Sequence, residues 1–305
     1  MPPHRHRLTA LVVVVVLAVL AGCGGGTNPD STSTRVKAIA TTTIFADLVR
    51  QVGGDRVEVE SLVPKGGEVH TFDPTPSDVR RVTEAQIVFR NGLGLDDWLA
   101  SLVRDAGSDA SVVALGEDLP GVAYLGGDAG RAGPNPHVWM NVAYASLYAG
   151  RIADELKRLD PDGAATYDAN LAAYQASLAS LDEEARSRLA AIPEADRTVV
   201  SFHDAFPYFA AAYGLTVDGT VIDAPGQDPS AGEIAKIVEL IRERHVRAIF
   251  GEAQFNPALV ETIAGETGAS VVTDLYTDSV GDPPQDTYES VMRWNLDRVA
   301  EALGG

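Results

Sequence analysis

The stretch Tyr167-Asp168-Ala169-Asn170-Leu171-Ala172-Ala173-Tyr174-Gln175-Ala176-Ser177-Leu178-Ala179-Ser180-Leu181-Asp182-Glu183-Glu184-Ala185-Arg186-Ser187-Arg188-Leu189-Ala190-Ala191 divides the chain. Leu171, Tyr174, Leu178, Leu181, Ala185 and Leu189 recur at helical spacing, and no Gly or Pro interrupts them, so one long helix is predicted. At ~1.5 Å per residue it would span the diameter of a small domain. It is either the connector between two lobes or an ordinary packed helix of one lobe. The patterns on its two sides favour the connector.

Before it, the chain reads as a strand over 36–40, a helix over 45–52 ending at Gly53-Gly54, a strand over 57–63, a short helix over 77–85 and a strand over 87–89. The turn Asn91-Gly92-Leu93-Gly94, a helix over 98–103 and a strand over 111–115 follow, then a Gly-rich loop over 121–136 and a helix over 141–159. After it, Thr198-Val199-Val200-Ser201-Phe202 opens a second set that continues through 215–222. A helix over 233–243 with a Ser230/Glu233 capping box, strands over 248–250 and 270–273, and helices over 257–266 and 288–303 complete it. Strands alternating with helices imply parallel sheets. The expected fold class is α/β: two lobes, each a parallel-type sheet with flanking helices, joined by one long linker helix. The lobes are expected at 36–160 and 197–305, with the linker region at 161–196, and 305 residues suit two lobes at ~100–200 residues per domain.

The N-terminus has a different character. Arg5 and Arg7 precede an apolar run over 11–20, which ends in Leu20-Ala21-Gly22-Cys23. This predicts a secretion signal over 1–22, because the run is shorter than the ~20 residues of a bilayer-spanning helix and leads into small residues. A signal anchor is the alternative. Residues 24–35 offer nothing to bury and read as a flexible tether. Cys23 is the only cysteine, so the mature domain has neither a disulfide nor a thiolate ligand, and any metal must be held by nitrogen and oxygen. Loss of Arg5 and Arg7 takes the formal charge from −19 to −21. So acidic a chain is not expected to bind nucleic acid, whereas it attracts cations.

Four polar positions stand in comparable places. His70 sits in Gly67-Glu68-Val69-His70-Thr71-Phe72-Asp73-Pro74-Thr75-Pro76, stiffened by prolines, and His137 and His203 sit in Pro136-His137-Val138-Trp139 and Ser201-Phe202-His203-Asp204. Asp278 follows in Tyr276-Thr277-Asp278-Ser279. His70, His203 and Asp278 each come after a strand, on the carboxyl edge where open α/β sheets bind ligands, while His137 precedes a helix. The remaining mature histidine, His245, reads as a solvated residue near a helix end. With two positions from each half, a metal held by all four would lie between the lobes, as in a closing clamp. Three imidazoles and a carboxylate suit Zn²⁺ better than the oxygen-preferring Mn²⁺. Glu252, ending a strand, is the rival fourth ligand or contacts a ligand from behind, and Asn91 is given the same two roles.

These motifs resemble the zinc and manganese solute-binding lipoproteins of ABC importers, the TroA-like and ZnuA-like group. The resemblance covers essentially the whole mature chain and is carried by residues 67–78, 91–98 and 136–140, His203-Asp204-Ala205-Phe206, residues 276–281 and Asn295-Leu296-Asp297. It implies two α/β lobes joined by a rigid helix, with an ion held by His70, His137, His203 and Asp278 and passed to an ABC permease. Histidine at 203 resembles the zinc members, since manganese members typically carry glutamate there. Leu-Ala-Gly-Cys resembles a lipobox, which implies lipidation of Cys23 and an extracytoplasmic, membrane-anchored monomer. The chain departs from many zinc members in having no histidine over 125–131, and Asp96-Asp97 stands where a glutamate is more usual. Two other classes compete: a secreted zinc hydrolase with Asp204 or Glu252 as general base, and a binder of an organic solute or surface adhesin.

Overall fold

Val36–Ala40 (β1) leaves only Lys37 exposed, as befits a strand of a parallel sheet covered on both faces. In the computed structural model it is the second of four parallel strands. The structure describes residues 35–126, 133–222, 225–226 and 228–304; the predicted signal, Cys23 and all of the tether but Arg35 lie outside them.

After β1 come α1 (Thr43–Gly53), β2 (Val57–Ser61), α2 (Pro76–Glu84), β3 (Ile87–Arg90), α3 (Leu99–Ala106) and β4 (Ser111–Ala114). The sheet order is β2-β1-β3-β4, all parallel. Then follow α4 (Val142–Leu159), α5 (Ala164–Ala190), β5 (Thr198–Ser201), α6 (Pro207–Tyr213), β6 (Thr216–Thr220), α7 (Ala231–Arg244), β7 (Ala248–Glu252), α8 (Ala258–Thr267), β8 (Ser270–Leu275) and α9 (Tyr288–Gly304). The second sheet runs β6-β5-β7-β8, also parallel, and so repeats the winding of the first. Two parallel sheets with flanking helices and a long linking helix are the fold class that the sequence predicts.

Local chemistry sets the helix ends. Thr42 and Asn141 cap α1 and α4 through their side-chain oxygens, which accept from Phe45 N and Ala143 N. The Ser230/Glu233 box forms at α7, with Ser230 N donating to Glu233 Oε2 at 2.6 Å. His245 is the left-handed residue that closes this helix, with its backbone N–H on Ile241 O. The helix α6 is absent from the sequence pattern, because seven residues are too few to display a period and its start is marked only by Pro207.

Residues 35–305 form a single compact unit. The 27-residue α5, roughly 40 Å long, buries Tyr174, Leu178, Leu181, Ala185 and Leu189 against α4, α1, α6 and α9. One hydrophobic core runs through this helical layer from the inner face of the first sheet (Ala38, Ala40, Ile87, Phe89) to the inner face of the second (Val199, Ala248, Phe250, Val272). Two smaller cores lie outside it. Ile39 and Val88 pack under α2 and α3 with Val82, Leu99 and Leu102, and Val200 and Ile249 pack under α7 and α8 with Val238, Ile241 and Ile263. The interior is thus shared between the halves, and the loops at the strand ends face one another across it. Among the described residues no helix is long and apolar enough to cross a membrane.

Candidate metal centre

His70 lies nine positions past the end of β2, so its placement depends on its loop. Glu68 Oε1 accepts from His70 N at 2.8 Å, and Trp98 Nε1 donates to Val69 O at 2.9 Å. The Phe72 and Trp98 rings pack at 4.9 Å, and Asp78 accepts from Thr75 N at 2.7 Å where Pro76 starts α2. The side chain of His70 is only 6% exposed.

His137 is held in the same manner. Asn135 Oδ1 accepts from His137 N at 2.9 Å and lies 3.0 Å from His137 Nδ1, which makes Nδ1 the N–H and leaves Nε2 as the lone pair. The Asn135 amide donates to Asp204 O and Oδ2, tying this turn to the start of α6. Asn91 Nδ2 donates to Pro136 O at 2.9 Å and to Gly92 O, and Asn91 Oδ1 accepts from Tyr148. Asn91 therefore braces the turn before His137, and its hydrogen-bonding groups are engaged with the fold.

The second sheet presents its groups from the strand ends. His203 stands two positions after β5, and its Nδ1 lies 2.5 Å from Oε2 of Glu252, the last residue of β7. Both are buried. Glu252 thus occupies the place behind His203 rather than a place beside the other three groups, the carboxylate–histidine arrangement that raises the basicity of a ligand. Asp278 is three positions after β8, on a loop bonded to the first half: Trp139 donates to Thr277 O, Gly66 N to Ser279 Oγ and Val280 N to Thr43 Oγ1. Asn295 of α9 bonds both backbone groups of Tyr276.

The four side chains converge. Nε2 of His137 and Nε2 of His203 are 3.3 Å apart. Asp278 Oδ1 is 3.5 Å from His137 Nε2, and its Oδ2 is 3.6 Å from His203 Nε2 and 3.7 Å from His70 Nε2. One donor atom from each lies within 4.8 Å of every other. Four donors bound at ~2.0–2.1 Å around one tetrahedral ion would be about 3.3–3.5 Å apart, close to this spacing. Two lone-pair nitrogens facing each other without an intervening proton or cation would repel.

The charges fit a cation. Burial opposes ionisation of Asp278, yet the imidazoles of His70, His137 and His203 gathered around it hold its carboxyl well below the usual carboxylate range. Burial alone would lower the pKa of His203, but the Glu252 and Asp278 carboxylates push it up to about 9. Burial raises the Glu252 carboxyl, partly offset by His203, so the pair shares a proton along its short contact. A metal arriving at Nε2 would leave that proton on the Nδ1 side and displace any second one.

Two contributors escaped the sequence reading: Asn135 and Glu68. A signal for them existed, since each loop histidine has a polar acceptor two residues before it that takes its backbone N–H, a local turn legible as spacing. Asp204 and Glu252, the nominees for a hydrolytic base, are bonded to Asn135 and His203 respectively.

Residues 39–302 match the family model described as ZnuA, zinc-uptake complex component A, periplasmic. The chain is 32% identical to the manganese-binding lipoprotein MntA of Halalkalibacterium halodurans, over 96% of this chain and 97% of that one. It is 31% identical to the iron ABC transporter substrate-binding lipoprotein MtsA of Streptococcus pyogenes, over 96% and 98%. Among solved structures, the periplasmic zinc binding protein TroA of Treponema pallidum superposes with a TM-score of 0.81 at 26% identity, covering 88% of this chain and 99% of that one.

Proposed function

The chain belongs to the ZnuA family of substrate-binding proteins of metal ABC importers, and from that premise we propose that it captures Zn²⁺ outside the cytoplasm and delivers it to a membrane permease. His70, His137, His203 and Asp278 are the ligands. The observation that carries this reading is the convergence of three imidazole nitrogens on one carboxylate at 3.5–3.7 Å, with one donor atom of each residue within 4.8 Å of the others, which suits a nitrogen-rich tetrahedral ion. Glu252 behind His203 and Asn135 behind His137 fix the two rings with Nε2 inward. The acidic surface raises the local concentration of cations, and the affinity order of divalent metals favours zinc over manganese and iron. Cys23 carries the lipid that keeps the protein at the membrane, as in the relatives named lipoproteins, and the chain works as a monomer.

A second reading has an observation of its own. Asp278 directs Oδ1 toward His137 and Oδ2 toward His70 and His203, so its carboxylate can chelate through both oxygens. A fifth donor would favour Mn²⁺ or Fe²⁺, the metals in the names of the two relatives.

Titration calorimetry separates these. The expected result is one Zn²⁺ per chain, Mn²⁺ displaced by Zn²⁺, and affinity weakened more than about 100-fold in His203→Ala. Unchanged zinc affinity in that variant would sink the four-ligand centre, and Mn²⁺ retained against equimolar Zn²⁺ would favour the five-donor reading.

A further inference from the structure

Beside the centre lies a cleft of about 520 Å³, bordered on one side by residues 66–71 and on the other by the ends of β5, β6 and β7. Six waters at about 30 Å³ each take less than half of that volume, so a fully hydrated cation fits. Its described lining carries Glu68 and Asp228 and no lysine or arginine. Two of its walls are also walls of the metal centre. Phe255 lines the cleft and packs its ring on His203, at 5.6 Å, and on Phe202, at 4.8 Å. Glu68 lines the cleft and holds the backbone of His70 through Oε1, while its Oε2 is buried with no hydrogen-bond partner.

The core shared by the two halves makes a wide parting of the lobes costly, because it would open a continuous apolar interior. The cleft needs no such parting. We propose that it is the entry passage of the hydrated divalent cation and that Glu68 is the transfer ligand: Oε2 takes the ion as it sheds water and hands it to His70, two residues away. Phe255 closes the inner end over His203. This inference rests on the metal-binding reading above and adds a second, transient site that the four-ligand centre does not require.

A transfer ligand changes rates more than equilibria. Stopped-flow mixing of the full chain with Zn²⁺ or Mn²⁺ can be followed by tryptophan fluorescence, since the Trp139 ring lies 5.2 Å from that of His137. In Glu68→Gln, which keeps an Oε1 acceptor for His70 N, the association rate constant should fall about tenfold. The dissociation rate constant, read by chelator chase, should fall with it, so that Kd moves by less than about threefold. An unchanged association rate, or a faster dissociation alone, would overturn the proposal and leave Glu68 a brace of the loop. Should that variant fail to fold, Asp228→Asn at the exposed mouth decides. Its association rate should drop about two- to threefold at low salt and match the parent chain at high salt, and a rate equal to the parent chain's at low salt would overturn the passage. Wild-type protein that binds neither ion would instead defeat the metal-binding reading itself.

Discussion

The two sheets have the same strand order and put it to opposite use. In the second, the functional groups stand at or just beyond the strand ends: His203 two positions after β5, Glu252 at the end of β7, Asp278 three positions after β8. In the first, His70 and His137 come nine and twenty-three positions after β2 and β4. The residues at the matching strand ends, Thr41 after β1 and Asn91 after β3, are spent on Asp96 and on the turn before His137. A donor on a strand end inherits the stiffness of the sheet. A donor on a loop must be stiffened locally, and Glu68, Trp98, Asn91 and Asn135 do this by bonding backbone groups of the two loops. Glu252, the last residue of β7, and Asn91, just past β3, both serve a histidine, one by direct contact and one through the chain.

The largest expected effect tests whether the halves are one body. Phe45, fully buried against Trp139 and Tyr148, belongs to the shared core, so Phe45→Ala should cost about 3–5 kcal/mol. Denaturant unfolding of the parent chain and of this variant should each show one transition by both near- and far-UV dichroism. Two separated transitions would mean that the halves are stabilised independently. Next come the two equivalent braces. Glu252→Gln should weaken zinc binding about 10- to 100-fold with little loss of thermal stability. Asn91→Ala leaves the Tyr148 hydroxyl and Pro136 carbonyl without their partner and should cost about 1–3 kcal/mol of stability, with affinity falling as a consequence. The contrast between strand-end and loop donors breaks if Asn91→Ala loses affinity at full stability.

The smallest effect is a pH slope. In the metal-free protein His203 has its pKa raised to about 9, above the ~6.5 of an unfolded histidine. Its contribution to stability is therefore complete below ~6.5 and is lost as pH rises through about 9. Metal binds the neutral ring, so the gap in melting temperature between loaded and metal-free protein should widen over that window. In Glu252→Gln the widening should shrink. A gap that stays constant from pH 6.5 to 9 would show that the carboxylate does not tune His203. Asp278 shifts the other way, and its contribution is lost only in strong acid.

What the sequence disclosed follows from the range of the interactions involved. Periodicity, capping and turn chemistry are local, so the strands, the long α5 and the Ser230/Glu233 box could be read directly. The four convergent residues were legible because each follows a strand or a proline-stiffened loop. Roles that depend on distant partners were not: Asn91 reaches Pro136 forty-five positions on, and Glu252 reaches His203 across forty-nine. From position alone, both qualify equally as ligands of the ion or as groups behind a ligand. The clamp picture likewise came from counting two groups per half. It could not foresee that the Asp278 loop is bonded to Thr43, Gly66 and Trp139 of the other half.

The common interior also sets the smallest portable form of this centre. A chain cut between α5 and β5 would leave α1, α4 and α5 on the first sheet and α6 and α9 on the second, and would bare the helix faces that meet across the cut, α5 against α6 and α9 and α1 against α9. Each fragment would present an apolar helix face that the other now covers, a surface prone to self-association. Grafting, truncation or display of the centre therefore has to carry the whole body from β1 through α9.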